Sequence, residues 1–415
     1  MTSREEILDQ LHELLSIPSV TAVGTGDTPF GPETARALNW VLELCRKLGF
    51  RTKNCGGMTG WAEIGQGSEL VGILVHLDVV PAGEGWTYPP FACTRANGIL
   101  YGRGVSDDKG PALACIYAMK ELLDSGIPLN RRIRIIFGQS EEKGEWRDMA
   151  YYRTHEELPT FGFTPDGEFP ALCGEKGIAE IRLSYPLEGS GLTRLEAGQA
   201  RNIVPSHCQA ECGDRSWSAR GRSAHGSTPE KGVNAISVLM EQLSGIPVAD
   251  FYNALLGFDL HGERLGCALS DPHSTLTLNV GMVHTTDQAI VFTLDIRYPV
   301  TCSLAQVVDP ITAAVAPYGV SAEVGEHMAP IYLDPNGPLI SALLSAYQEA
   351  TGDRDSRPQV IGGGTYAKAM ANIAAFGPIL PGREGSEHQA DEHISEEDYF
   401  LLLRIYRAAL ERLAR

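Results

Sequence analysis

The chain has 415 residues, more than one hydrophobic core usually organises, so two domains are expected. Its hydrophobic content of 43% and charged content of 21% are ordinary for a globular protein, and no apolar run approaches the roughly 18 residues that a membrane span needs. Lys and Arg number 34 against 52 Asp and Glu, a formal charge of −18, which argues against nucleic acid or an anionic membrane as a partner.

The opening MTSREEILDQ is polar and acidic, unlike a secretory leader. The nine cysteines are scattered and contain no C-x-x-C pair, which suits free thiols in a reducing compartment. A cytoplasmic location is therefore expected.

In chain order, residues 3–16 place Ile7, Leu8, Leu11, Leu14 and Leu15 on one helical face, and Pro18 stops the helix. Residues 33–48 repeat the pattern with Ala37, Leu38, Val41, Leu42 and Cys45, and Gly49 closes it. Continuous apolar runs at about 71–77 and 132–138 read as strands covered on both faces. Between them, Pro111–Leu123 reads as the crossover helix. After about Gly177 the texture changes to alternating strand-like runs, with one clear helix near Val233–Leu243. From about Pro335 follow a helix (Leu339–Ala350), a strand (Ala374–Leu380) and a terminal helix (Glu396–Leu413). The expected fold class is α/β, with residues 1–177 and 331–415 forming a discontinuous first domain and 178–330 an inserted α/β domain.

The apolar strands end on acids and histidines. His76-Leu77-Asp78 closes the first strand, Asp107-Asp108-Lys109-Gly110 precedes the crossover helix, and Glu141-Glu142 follows the strand at 132–138. Asp166 sits in Thr164-Pro165-Asp166, and His388 lies near the C-terminus. Open α/β sheets bind ligands at the carboxyl ends of their strands. Two imidazoles and several carboxylates gathered there would hold two divalent metals with a water between them, which is hydrolytic chemistry.

These segments resemble the M20 family of metallopeptidases, in particular its PepV-like, Xaa-His dipeptidase branch. The resemblance rests on VHLDVVPAGEGW, LYGRGVSDDKGP, GQSEEKGEWRDMAYY, FGFTPDGEFPALCGEKG, ARNIVP, AHGSTPEKGVNA, LDIRYPV, GGGTYAKAM and FGPILPGREGSEHQADE, in family order from Val75 to Glu392. It implies a two-metal catalytic domain interrupted by a lid.

Residue by residue, the resemblance implies that His76 ligates one metal and that Asp78 accepts its second ring N–H. Asp107 would bridge both metals, while Asp108 reads as a solvated or helix-capping acid. Glu141 would be the general base, activating the water between the metals, and Glu142 a ligand. Asp166 and His388 would complete the two shells. His393 competes for the last position, and the H-Q-x-x-E phrasing of His388-Gln389-Ala390-Asp391-Glu392 favours His388. Oxygen and nitrogen donors without thiolate suit Zn²⁺, Mn²⁺ or Co²⁺ alike, and the resemblance implies zinc, with manganese as its rival.

In the lid, His225 would donate to the oxyanion of the tetrahedral intermediate. Arg297 would fork onto a C-terminal carboxylate, supported by Asn202, with backbone N–H groups of Gly363, Gly364 and Thr365 nearby. The implied function is dipeptide hydrolysis, with N-acyl-amino-acid deacylation on the same fold as the alternative. The expected partner is a small peptide substrate, and a monomer is favoured, with a homodimer as the alternative.

Overall fold

The computed structural model describes residues 2–415. The chain divides into two compact units, one formed by Met1–Cys173, Leu333–Gln359 and Thr365–Arg415, the other by Gly174–Tyr332 and Val360–Gly364.

The first unit is organised by the strand Leu70–His76, all seven residues of which are buried, as a strand covered on both faces must be. It lies parallel to Arg132–Gly138 on one side and to Phe161–Thr164 on the other. Thr59–Ile64 and then Arg51–Cys55 extend the sheet antiparallel beyond Arg132–Gly138, and Ile373–Ala375 adds a parallel strand beside Phe161–Thr164. The ladder pairs Leu70 with Arg132 and continues without a slip until His76 faces Gly138. Three neighbouring strands therefore end on the same side of the sheet.

The helices follow the sequence pattern closely. Arg4–Leu15 is capped by Ser3, whose hydroxyl accepts from the Glu6 N–H at 3.2 Å, and it buries Ile7, Leu8, Leu11, Leu14 and Leu15. Pro32–Lys47 carries its proline at the first turn, where no N–H is missed, and buries Ala37, Leu38, Val41, Leu42 and Cys45. The crossover helix runs Lys109–Ser125 and ends on Gly126 at φ 65°. It starts two residues earlier than the pattern indicates, since Pro111 is tolerated within the first turn. The strand read over 374–380 is only Ile373–Ala375, because Pro378 offers no N–H to a ladder. Ser395 caps the terminal helix Glu396–Ala414 by accepting from the Asp398 N–H at 3.0 Å.

The second unit is a seven-stranded antiparallel sheet. Its order is Arg215–Arg220, His207–Cys212, Arg194–Ala197, Thr277–Thr285, Ala289–Tyr298, Gly177–Pro186 and Ser321–Met328. Helices Ala235–Gln242, Pro247–Leu255 and Leu304–Val315 supply Ile236, Leu239, Phe251, Tyr252, Val307 and Ile311 to its core. The last of these helices contains Pro310, which masks its helical signal in the sequence. The unit runs from Gly174 to Tyr332, and these two end residues pair with each other. It also takes in Val360–Gly364, whose carbonyls at Ile361 and Gly362 accept from the Lys176 N–H (2.9 Å) and Arg297 Nη1 (3.1 Å).

All nine cysteines are free thiols. Among the described residues, no helix is long and apolar enough to cross a membrane.

Candidate metal centre

Three adjacent parallel strands deliver the first set of side chains. His76 is the last residue of its strand, Gln139-Ser140-Glu141-Glu142 follows Gly138, and Asp166 follows Thr164. Asp107 stands two residues ahead of the crossover helix. His388 comes from the loop before the terminal helix, with φ 64°.

These five segments converge. His76 Nε2 lies 2.8 Å from Asp107 Oδ1 and 3.8 Å from Asp166 Oδ2. His388 Nε2 lies 3.0 Å from Asp107 Oδ2 and 3.0 Å from Glu142 Oε2. Asp107 thus turns one carboxylate oxygen toward each imidazole. Ligand atoms of His76, Asp107 and Glu142 all lie within 4.8 Å of one another, and so do those of His76, Glu141 and Asp166. His393 is elsewhere, on the strand His393–Ser395, with its Nδ1 at 2.9 Å from the Asp391 carbonyl and its ring against Tyr101.

The donor chemistry of this cluster fits a cation. His76 Nδ1 is 3.0 Å from the Asp78 carbonyl oxygen, which can only accept, so Nδ1 carries the proton. In neutral His76 the Nε2 lone pair then faces carboxylate lone pairs, and only positive charge between them resolves the conflict. The electrostatics agree. Burial, together with the Asp166 charge, pushes the Glu141 carboxyl well above its usual range, and burial with Asp107 raises Glu142. Burial works to raise Asp107 as well, but hydrogen bonds from His388 and His76 outweigh it and hold that carboxyl low. Burial opposes protonation of His388, but Asp107 and Glu142 push its imidazole strongly upward. Glu141, Glu142 and the His388 imidazole are thus all driven toward holding a proton, as expected of a site that attracts positive charge.

The support behind these residues differs in part from the expectation. The Asp78 carboxylate does not take the ring N–H of His76, whose Nδ1 is 3.6 Å away and bonded to the backbone carbonyl instead. Its two oxygens accept from the backbone N–H groups of Glu141 and Glu142, each at 3.1 Å, and from Thr21 Oγ1 at 3.1 Å. Asp78 therefore holds the Glu141–Glu142 turn. One step back along the chain, Asp148 does the same, accepting from the N–H groups of Gln139 (2.6 Å) and Ser140 (3.0 Å) and from the Tyr366 hydroxyl (2.5 Å). Gly138 makes room for that tyrosine, since a Cβ there would fall 2.3 Å from its hydroxyl oxygen. Asp108 is fully buried rather than solvated and makes no side-chain cap. Its Oδ2 accepts from the His76 backbone N–H at 3.2 Å.

Glu392 holds the loop that carries Asp107. This buried carboxylate accepts from the N–H groups of Gly104, Ser106 (2.9 Å) and Asp107 (3.2 Å), and pairs with Arg103 Nη1 at 2.7 Å. Thr21, Asp148, Tyr366 and Arg103 went unrecognised in the sequence, although the last three lie inside the motif segments, and Glu392 was noted only as the end of the H-Q-x-x-E phrasing. Their signal was a polar residue inside an otherwise functional stretch.

In the second unit, Asp295 is the partner of Arg297. Arg297 donates from Nε and Nη2 to both Asp295 oxygens (3.0, 3.1 and 2.8 Å) and from Nη1 to the Gly362 carbonyl. One edge of its fork is thus already occupied. Arg201 Nη1 reaches the same aspartate at 3.2 Å. The Asn202 carbonyl accepts from the Gly226 N–H at 2.7 Å, next to His225. Gly362 is the glycine held close, because a Cβ there would lie 3.2 Å from that of Ser227, whereas at Gly363 the nearest contact is 3.5 Å. Gly364 is the last residue of this unit. In the first unit, Thr365 caps the short turn Tyr366–Ala369 by accepting from the Ala367 N–H at 3.1 Å.

Residues 72–412 match the model of peptidase family M20/M25/M40. The chain belongs to that family. As a member it is a hydrolase of peptide bonds. It is 34% identical over 461 aligned positions to "Putative dipeptidase YtjP" of Bacillus subtilis, covering 99% of this chain and 98% of that one. A second "Putative dipeptidase", from Staphylococcus haemolyticus, is 33% identical over 456 positions, covering 98% and 97%. Both alignments are longer than the 415 residues here, so these relatives carry segments that this family member lacks. Among solved structures, the M20 family metallo-carboxypeptidase Sso-CP2 from Sulfolobus solfataricus shares the fold with a TM-score of 0.63 at 18% identity, covering 98% of both chains.

Proposed function

We propose that the protein is a two-metal dipeptidase of the PepV-like branch, acting as a monomer on small peptides in the cytoplasm. The observation that carries this is the position of Asp107, which offers one oxygen to His76 and the other to His388, with Glu142 and Asp166 beside them. The dipeptidase names of relatives aligned over nearly the whole chain support the substrate class.

His76, Asp107 and Asp166 would hold one divalent ion, and Asp107, Glu142 and His388 the other. Zn²⁺ is favoured, with Mn²⁺ or Co²⁺ as alternatives. The ions would lower the pKa of water and polarise the scissile carbonyl. Glu141 takes a proton from the attacking water and passes it to the leaving amine. Its backbone is fixed for this by Asp78, and its raised proton affinity suits a base. His225 donates to the developing oxyanion. The N–H groups of Arg297 that Asp295 and Gly362 do not use hold the C-terminal carboxylate, with Asn202 and the backbone of Gly363, Gly364 and Thr365 in support.

The test is a hydrolysis panel on metal-repleted enzyme. It compares a dipeptide, the tripeptide longer by one residue, and the N-acetyl form of the same C-terminal amino acid. Cleavage of the dipeptide alone is expected. Cleavage of the acetylated compound in its place would move the protein to the deacylases and overturn the substrate assignment.

A further inference from the structure

His225 and Ser227 are two residues apart in the loop after the strand Arg215–Arg220. The Ser227 backbone N–H donates to His225 Nδ1 at 3.2 Å. The Ser227 hydroxyl oxygen lies 2.7 Å from the same nitrogen. A backbone N–H can only donate, so at 3.2 Å it favours an Nδ1 that presents its lone pair, and the hydroxyl at 2.7 Å supplies the stronger share of that preference. The hydroxyl must then donate as well, and the two donors share one lone pair. The ring proton is left on Nε2. An imidazolium would place an Nδ1–H directly against the Ser227 N–H.

The seat of this pair is built by its neighbours in the same unit. The Gly226 N–H donates to the Asn202 carbonyl at 2.7 Å, and a Cβ at Gly226 would fall 2.8 Å from Asp295 Oδ2. The Thr228 N–H donates to the His225 carbonyl at 3.0 Å, closing the turn. Gly362 packs on Ser227, with room for nothing larger than its hydrogen without a shift. The backbone on both sides of Ser227 is thus held while its two donors are aimed at the ring.

We propose that Ser227 is a positioning residue that locks His225 as the neutral Nε2–H tautomer. That form puts the ring's donor on Nε2, and an N–H is what a developing oxyanion calls for. The catalytic half of this statement rests on the role given to His225 above, whereas the tautomer half does not.

The experiment is a two-bond ¹H–¹⁵N correlation on the full-length, metal-loaded enzyme labelled with ¹⁵N-histidine at neutral pH. His225 is assigned as the ring missing from His225→Gln. The wild-type ring is expected as the Nε2–H tautomer. In Ser227→Ala, where only the backbone donor remains, a mixture of tautomers is expected. Its kcat should fall about ten-fold at unchanged KM, less than the ~10²–10³ lost with a whole oxyanion donor. Ser227→Thr, which keeps the hydroxyl, should restore both. A wild-type Nδ1–H tautomer or an imidazolium overturns the lock. So does a Ser227→Ala enzyme with the wild-type tautomer and wild-type kcat. A shifted tautomer with unchanged kcat upholds the lock and overturns the catalytic role of His225.

Discussion

Replacing Asp78 with asparagine isolates what this buried carboxylate does. Its oxygens take the Glu141 N–H on one side, and the Glu142 N–H with the Thr21 hydroxyl on the other, all at 3.1 Å. A carboxamide accepts through one atom only. In either orientation its NH₂ faces a backbone donor. One hydrogen bond to a charged acceptor disappears, which costs about 1.5–3 kcal/mol, and a buried donor left without an acceptor adds about 1–3 kcal/mol. The turn relieves part of this by moving, and movement carries Glu141 with it. A misplacement of about 1 Å in a reacting group costs on the order of 10² in rate. Asp78→Asn is therefore expected to unfold at lower urea concentration and to lose about 10² in kcat while the His76 ring keeps its bond to the Asp78 carbonyl. The assay is steady-state kinetics alongside elemental analysis of metal per chain and urea denaturation. Wild-type kcat per metal-loaded enzyme, with the only loss being metal affinity, would refute this and return Asp78 to the role of orienting His76.

Glu141→Gln should keep its metal content and lose at least about 10² in turnover, the scale of a general base; an active variant would mean the base lies elsewhere. His388→Ala should lose bound metal and activity while His393→Ala keeps both, which elemental analysis of the two variants decides. Gly138→Ala should drive Tyr366 off Asp148, since the added Cβ would sit 2.3 Å from the hydroxyl oxygen. Overpacking of this kind costs about 1–3 kcal/mol, and a denaturation midpoint equal to wild type would contradict the packing described.

The convergence of these side chains was legible because apolar runs fix strands, and strands fix where their last residues go. His76, Glu141, Glu142 and Asp166 follow three adjacent parallel strands, and the resemblance supplied Asp107 and His388. What the sequence did not reveal depends on long-range pairing. Glu392 reaches across 289 positions to Arg103, and no local pattern records such a pair. Asp78 was read correctly as a neighbour of His76, but its partners are backbone N–H groups 63 and 64 residues away. Asp108 looked like a capping acid because it precedes a helix, yet the fold buries it under His76. Arg297 was read as an open fork, and its own strand neighbour at position 295 closes one edge. In the second unit, Pro310 within Leu304–Val315 hid a helix that tertiary packing of Val307 and Ile311 restores.

The central claim is that two divalent ions, shared through Asp107, make this a peptidase. The most direct test titrates chelator-stripped enzyme with Zn²⁺ or Mn²⁺ while following dipeptide hydrolysis and counting bound metal. Two equivalents per chain are expected, with full turnover only as the second site fills and none in the stripped protein. Full turnover at one equivalent, or hydrolysis by the metal-free enzyme, would contradict the account.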